Sequence, residues 1–391
     1  MASIIKRADR PLPWVVAWRD PATKEQRRKA FATKRAADGF RDTVSTEVRQ
    51  GTYIDRKPIP FSAFAADWLA RTKPTVSPNT HALHEWAVNK YLIGTVDEKN
   101  QGRREPEHAF GTMPVQNITA ERIERWQAEL LGKKKPGPRS VEIFRTVLGT
   151  ILEDARKKRR IFLNPMQDVR HFDVPKRELE YLRPEELKAF CAKVGAFYGV
   201  LFLLMALCGL RIGEALGLQR PDLDLTRGRL HVQRQAVWLR KKDVAPGEPR
   251  WRIVEPKSKA GNRVVEIPAL LAPFLQLHLE TLGQARNPLG LVFPSEDGTP
   301  LHPGNVRRRH FAPALAALGK TGIRPHDFRR TFIAMHVEAG THPKQIQERV
   351  GHSDIRLTMD VYGKIAGTMA LSREQVARLD AVTARALPAA R

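Results

Sequence analysis

His326, Asp327, Phe328 and Arg329 are followed by Gly351-His352, and Tyr362 stands ten residues beyond His352. Two histidines, an arginine and a tyrosine this close suit one chemistry: holding a phosphodiester while a tyrosine hydroxyl attacks it. A second arginine, Arg211, directly follows the apolar run from Ala196 to Leu210, so packing should hold its guanidinium still. Glu214, three residues on, can orient its neighbourhood. An arginine held this way can offer two N–H groups to two phosphate oxygens. The segment Pro256-Lys257-Ser258-Lys259-Ala260-Gly261-Asn262-Arg263 adds a lysine at what reads as a hairpin turn between two strands. Each member also has a plain structural reading: Arg211 and Glu214 as an ion pair, His326 as a capping or core histidine, Tyr362 as a partly buried aromatic. It is the combination that points to phosphodiester chemistry.

The elements that must position these residues can be read locally. His326 and Arg329, three apart at a helix start, face one way, whereas Arg330 is turned about 100° and should bond elsewhere. Gly351 predicts a tight turn exposing His352, and a helix from about Ile355 would carry Tyr362 some two turns on. Along the whole chain three blocks emerge, which makes it an α+β multidomain protein. The first, 1–57, is a small sheet-plus-helix domain: strands Trp14–Arg19 and Arg27–Phe31, then a helix capped by Thr33 and running to about Val48. The second, 61–172, reads as all-helical, with starts at Phe61, at Ser77-Pro78, after Thr119 and at Ser140, and an exposed loop from Asp97 to His108. Basic clusters, Lys133–Arg139 and Arg156–Arg160, bracket its last helix and suit duplex phosphates. The third, 176–391, is mainly helical with a small antiparallel sheet, its strands expected at His231–Leu239, Trp251–Glu255 and Arg263–Ile267.

Composition agrees with a nucleic-acid partner. Lys and Arg number 67 against 42 Asp and Glu, a net charge of +25 and a pI of 10.5. Hydrophobic content of 42% is that of a folded protein, so disorder does not explain the charge. The basic residues are spread along the chain, which fits a membrane surface poorly. Cys191 and Cys208 are the only cysteines, excluding a disulfide framework or a cysteine-rich zinc site, and read as core residues. The N-terminus lacks an apolar signal core, and the run from Ala196 to Leu210 falls short of the roughly 20 residues that span a bilayer. A cytoplasmic protein, with no membrane partner, is expected.

The ordered set Arg211, lysine, His326-x-x-Arg329, Gly351-His352, Tyr362 resembles the tyrosine recombinases, the phage integrase family, and more distantly the type IB topoisomerases. The resemblance spans the third block and is carried by GLRIGEAL (209–216), HDFRR (326–330) and GHSDI (351–355) with its tyrosine. The first two blocks more weakly resemble the arm-binding and core-binding domains of such integrases. The resemblance implies that Tyr362 attacks phosphorus to form a 3′-phosphotyrosyl link, that Arg211 and Arg329 clamp the non-bridging oxygens with His352 sharing in the clamp, and that His326 is the proton acceptor or hydrogen-bond partner near the tyrosine. It implies that a lysine protonates the departing 5′ oxygen. Lys257 is favoured because it directly precedes the turn in a Pro-Lys-Ser sequence like the family's, with Lys259 the alternative. Glu214 matches the family's supporting acidic residue. One departure is Lys364, where the family often has histidine two residues past the nucleophile.

No metal or other cofactor is expected, because the cations of the site replace the metal and a phosphotyrosyl link conserves the bond energy. The expected partners are double-stranded DNA at core-type and arm-type attachment sites, further copies of the chain as a homotetramer on DNA, and two accessory proteins: a host DNA-bending factor and an excisionase. The resemblance also implies association with a bacterial host's nucleoid. A tail helix through Leu371, Val376, Leu379, Val382 and Leu387 is expected to dock on a neighbouring subunit. The alternatives are a topoisomerase-like relaxing enzyme and a non-catalytic DNA-binding protein of the same fold.

Overall fold

Three antiparallel strands open the chain in the computed structural model, which describes residues 2–366 apart from 8–9, 22–23, 51–52, 54–56, 98–102, 176, 179, 257 and 284–286. Lys257 and the expected tail helix therefore lie outside the described residues. The chain divides into two compact units, Met1–Lys176 and Arg177–Arg391.

In the first unit, β1 (Ser3–Lys6) pairs with β2 (Trp14–Arg19), and β2 with β3 (Gln26–Phe31). β1 is an addition to the two strands read from sequence; its SIIK stretch is too short to show alternation. Helix α1 (Lys34–Gln50) packs on this sheet, with Phe40 against Trp18 and Phe31 at 5.4 and 5.1 Å, and Thr33 Oγ1 accepts from the Ala36 N–H. The helical part comprises α2 (Phe61–Thr72), α3 (Pro78–Ala87), α4 (Ala120–Leu131) and α5 (Pro138–Lys157). The expected caps form: Ser77 Oγ accepts from Thr80 N–H at 3.3 Å and Thr119 Oγ1 from Arg122 N–H at 3.2 Å. α5 starts at Pro138, two residues before the expected Ser140, because proline's fixed φ and missing N–H fit a helix's first turn. The block is not all-helical. Part of the expected loop at Asp97–His108 is a short hairpin of β4 (Thr95–Asp97) and β5 (Arg103–Glu105).

The second unit is built on α6 (Pro184–Val194) and α7 (Ala196–Cys208), the buried apolar helix. α7 stops at Gly209, whose left-handed φ of 65° puts a reversal where a Cβ would press on Phe332 at 3.0 Å and Val350 at 3.2 Å. The short α8 (Ile212–Leu216) follows, then β6 (Leu223–Asp224), β7 (Arg229–Val232), β8 (Gln235–Trp238), β9 (Trp251–Val254) and β10 (Arg263–Glu266). Helices α9 (Ala272–Leu282), α10 (Pro303–Val306), α11 (Ala312–Ala316), α12 (Asp327–Glu338), α13 (Pro343–Val350) and α14 (Ile355–Ala366) complete it. Phe190, Phe202, Phe311 and Phe328 pack with ring centroids 5.1 to 5.6 Å apart, which fixes the start of α12 against α6 and α7.

Two strand expectations need correction. The single strand expected at His231–Leu239 is broken into β7 and β8, which have different partners: β7 pairs with β10 and β8 with β9. The lysine-bearing segment is therefore not a hairpin turn between paired strands, since β9 and β10 do not pair with each other. The register sets Val232 opposite Arg263 and Gln235 opposite Val254. The described residues between Val254 and Arg263 thus bulge from one arm of a long, broken hairpin opposite only Gln233 and Arg234. A period-2 pattern shows that strands exist but not which of them pair.

Candidate active site

Arg211 stands between α7 and α8, where Gly209 turns the chain. Its Nη1 donates to Glu214 Oε1 at 2.6 Å, its Nη2 to the Gly351 carbonyl at 3.4 Å, and its backbone N–H to Glu214 Oε2 at 2.9 Å. The guanidinium is thus fixed mainly by an ion pair, more than by the apolar packing expected from sequence. Glu214 is 3% exposed. Burial alone would raise its carboxyl, but the Arg263 charge and hydrogen bonds, with the Arg211 backbone N–H, hold it below the usual carboxylate value.

Arg263, on β10, was missed as a site residue. It is 8% exposed and grips Glu214 through Nη2–Oε2 at 3.0 Å and Nη1–Oε1 at 3.3 Å. It also donates to the carbonyls of Arg349 at 2.7 Å, Gly261 at 3.2 Å and Gly209 at 3.4 Å. The strand alternation could have found it: with Val265 inward, period 2 turns Arg263 inward too, and a buried arginine needs an anion.

α12 presents Arg329, only 1% exposed. Its Nη1 donates to the Gly209 carbonyl at 2.7 Å, its Nη2 to the Val350 carbonyl, and its Nε to His352 Nε2 at 3.4 Å. Burial first, then the Arg211 and Arg263 charges, pull its guanidinium well below the ordinary value. Arg330 turns away as expected, to Asp327 Oδ1 at 2.9 Å.

His352 is half-buried, not exposed as the Gly351 turn suggested. Gly351 does take the left-handed conformation, φ 65°. The His352 ring is held between Arg329 and Thr358, with Nδ1 2.9 Å from Thr358 Oγ1. A ring that accepts at Nε2 carries its proton on Nδ1. Burial and then Arg329, Arg211, His326 and Arg263 push it down to about 3, so it is neutral at physiological pH. His326, at the solvent-facing start of α12, is likewise lowered, by burial first and then by Arg329, Arg211 and Arg330, with Asp327 opposing.

Thr358, fully buried, was also missed. It lies one helical turn before Tyr362 on α14, so the helix face bonded to His352 is the face that carries the tyrosine. The Tyr362 ring packs beside the cluster of Phe332, Ile333, Val337, Ile346 and Val350, and no described residue hydrogen-bonds its hydroxyl. Of the candidate lysines, Lys259 begins the one-turn helix Lys259–Gly261 within the bulge. Among the described residues no cluster of His, Cys, Asp or Glu could hold a metal ion, and no helix is long and apolar enough to cross a membrane.

Arg211 and Arg263 thus both grip Glu214, with Arg329 close by, and Arg329 is lowered by burial first and then by the two neighbouring guanidinium charges, which Glu214 alone does not offset. An anion placed there would offset them. The phage integrase family model matches residues 180–367. This domain belongs to the tyrosine recombinase (phage integrase) family. The integrase domain is accompanied by likeness over most of the chain. The ICEBs1 integrase of Bacillus subtilis is 25% identical, covering 88% of this chain and 90% of its own. The integrase of Mycobacterium phage D29 is 25% identical over 75% of each. Among solved structures, the Tn1549 transposon integrase bound to transposon right-end DNA superposes with a TM-score of 0.64 at 19% identity, over 82% of this chain and 98% of that one. A lambda integrase dimer on a core site gives 0.57 at 15% identity, over 94% and 96%. At those identities the structures speak for the fold.

The depressed His352 has a consequence for stability. The folded protein refuses a proton that the unfolded chain accepts below about pH 6.5, so stability is full above that pH and is lost as pH falls towards about 3. Thermal melts should fall in temperature across this window, and His352→Gln should flatten part of the slope. Parallel slopes for the two proteins would contradict the assignment.

Proposed function

We propose that this protein is a site-specific DNA recombinase of a phage or integrative element, cutting and rejoining DNA through a 3′-phosphotyrosyl intermediate. The observation that carries this reading is the excess of guanidinium charge around Glu214, beside a tyrosine-bearing helix tied to His352 through Thr358. Tyr362 Oη forms the new bond to phosphorus and the 5′ oxygen leaves. His326 takes or holds the tyrosine proton. Lys257, or Lys259 as the alternative, gives a proton to the leaving oxygen. Arg211 holds the non-bridging oxygens, which carry more charge in the transition state. Arg329 and His352 join through N–H groups that a bound phosphate would draw from their present partners. Glu214 supports Arg211.

The first block, 1–57, is proposed to read arm-type sites and the second, 61–172, core-type sites. Exposed Lys134 and Lys135 before α5, Arg139 in its first turn, and Arg156, Lys157 and Arg159 at its end support the second assignment. A homotetramer is proposed as the working assembly, in line with a lambda integrase tetramer seen on a Holliday junction. A bending factor, an excisionase and a nucleoid location belong to the same proposal.

The test is a nicked suicide duplex carrying the element's end, in which the cleaved fragment is lost and the reaction stalls. Wild-type protein should yield a covalent protein–DNA band on a denaturing gel. Absence of the band on the true site would refute cleavage, and relaxation of an arbitrary supercoiled plasmid would favour a topoisomerase instead.

A further inference from the structure

Arg211 poses a problem of charge. Paired with a buried carboxylate at 2.6 Å, it would offer a phosphate little net attraction, because Glu214 cancels it. Arg263 changes that balance. Its five N–H groups are all directed at acceptors: both Glu214 oxygens and the carbonyls of Gly209, Gly261 and Arg349. It has none left for substrate, so it is not a phosphate ligand. Arg211, by contrast, uses Nη1 on Glu214 and Nη2 on Gly351, and its Nε meets no described partner.

We propose that Arg263 is a positioning residue for the phosphate clamp: it neutralises and holds Glu214, so that Arg211 keeps both its charge and its free N–H groups for the scissile phosphate. This rests on the recombinase reading above. The triad of Arg211, Glu214 and Arg263 then carries a single net positive charge, and that charge sits on the one member with donors to spare. Without Arg263, the freed face of the carboxylate draws Arg211 into a two-pronged pair and away from substrate. The same guanidinium reaches the carbonyls of Gly209 and Arg349, so it also ties β10 to the two turns that aim Arg211 and His352.

The experiment measures single-turnover adduct formation on the suicide duplex, with either a normal phosphodiester or a methylphosphonate at the scissile position. The methylphosphonate lacks the charged non-bridging oxygen and depends less on a cationic clamp. Wild-type adduct on the phosphodiester is the control, and its absence would sink the recombinase reading itself. Arg263→Met should slow phosphodiester cleavage by roughly 10²-fold, and the deficit should shrink several-fold on methylphosphonate. An equal deficit on both substrates, or no deficit, overturns the proposal. A buried Glu214 left without Arg263 also threatens folding, so the double variant Glu214→Gln/Arg263→Met, which removes anion and cation together, is measured alongside. It should fold and cleave the phosphodiester faster than Arg263→Met, or cleave where that variant cannot fold. A folded double variant no faster than the single one, or inactive, counts against charge compensation.

Discussion

Tyr362→Phe should give no covalent adduct while remaining folded and able to bind DNA. The substitution removes one oxygen. The ring keeps its packing beside Phe332, Ile333 and Val350, and the hydroxyl it loses has no described hydrogen-bond partner. Stability should therefore change by no more than about 0.5 kcal/mol. Adduct formation should fall by roughly 10⁴-fold or more, the scale seen when a covalent nucleophile is deleted. The measurement pairs a denaturing gel of the suicide-substrate reaction with a binding titration under the same salt, since phosphate-driven affinity depends on it. A persistent adduct in the variant would move the nucleophile to another residue and remove the reason for α14 to sit where it does.

The second large effect is expected at Glu214. Glu214→Ala leaves the guanidinium of Arg263 buried with no counter-charge and releases the Arg211 side chain and backbone N–H together. Removing one partner of a buried pair destabilises by about 3–5 kcal/mol, because the remaining charge has lost both water and its anion. Denaturant unfolding should show a loss of that size, and cleavage should fall as Arg211 loses its anchor. A change below about 1 kcal/mol would mean that Glu214 does not hold the three-part cluster together. The milder Glu214→Gln keeps an acceptor for Arg211 and should lie between wild type and Glu214→Ala.

Much of the fold could be read locally. The caps at Ser77 and Thr119, the proline starts at Pro78 and Pro184 and the buried helix ending at Gly209 are nearest-neighbour effects, and the structure forms them where the residues imply. The misreadings concern partners distant in sequence. One expected strand is two, because β7 and β8 answer to different partners, and the lysine segment is a bulge because its neighbours pair across to that broken strand. His352 was expected to be exposed because a glycine turn precedes it. It is drawn inward because Arg329, 23 residues earlier, and Thr358 both bond its ring.

The sequence by itself determined the inventory: a basic chain with Arg211, Glu214, His326, Arg329, His352 and Tyr362 in an order that matches one family, on elements whose local starts and stops are written in their own residues. Tertiary structure alone decided how those charges share partners. Arg263 entered the site because strand pairing brought β10 beneath the Gly209 turn, and Glu214 became the shared anion of two arginines 52 residues apart in the chain. Spacing along the chain can place two groups on one helix face, but the sharing of one buried carboxylate is settled only where desolvation makes every unpaired charge costly.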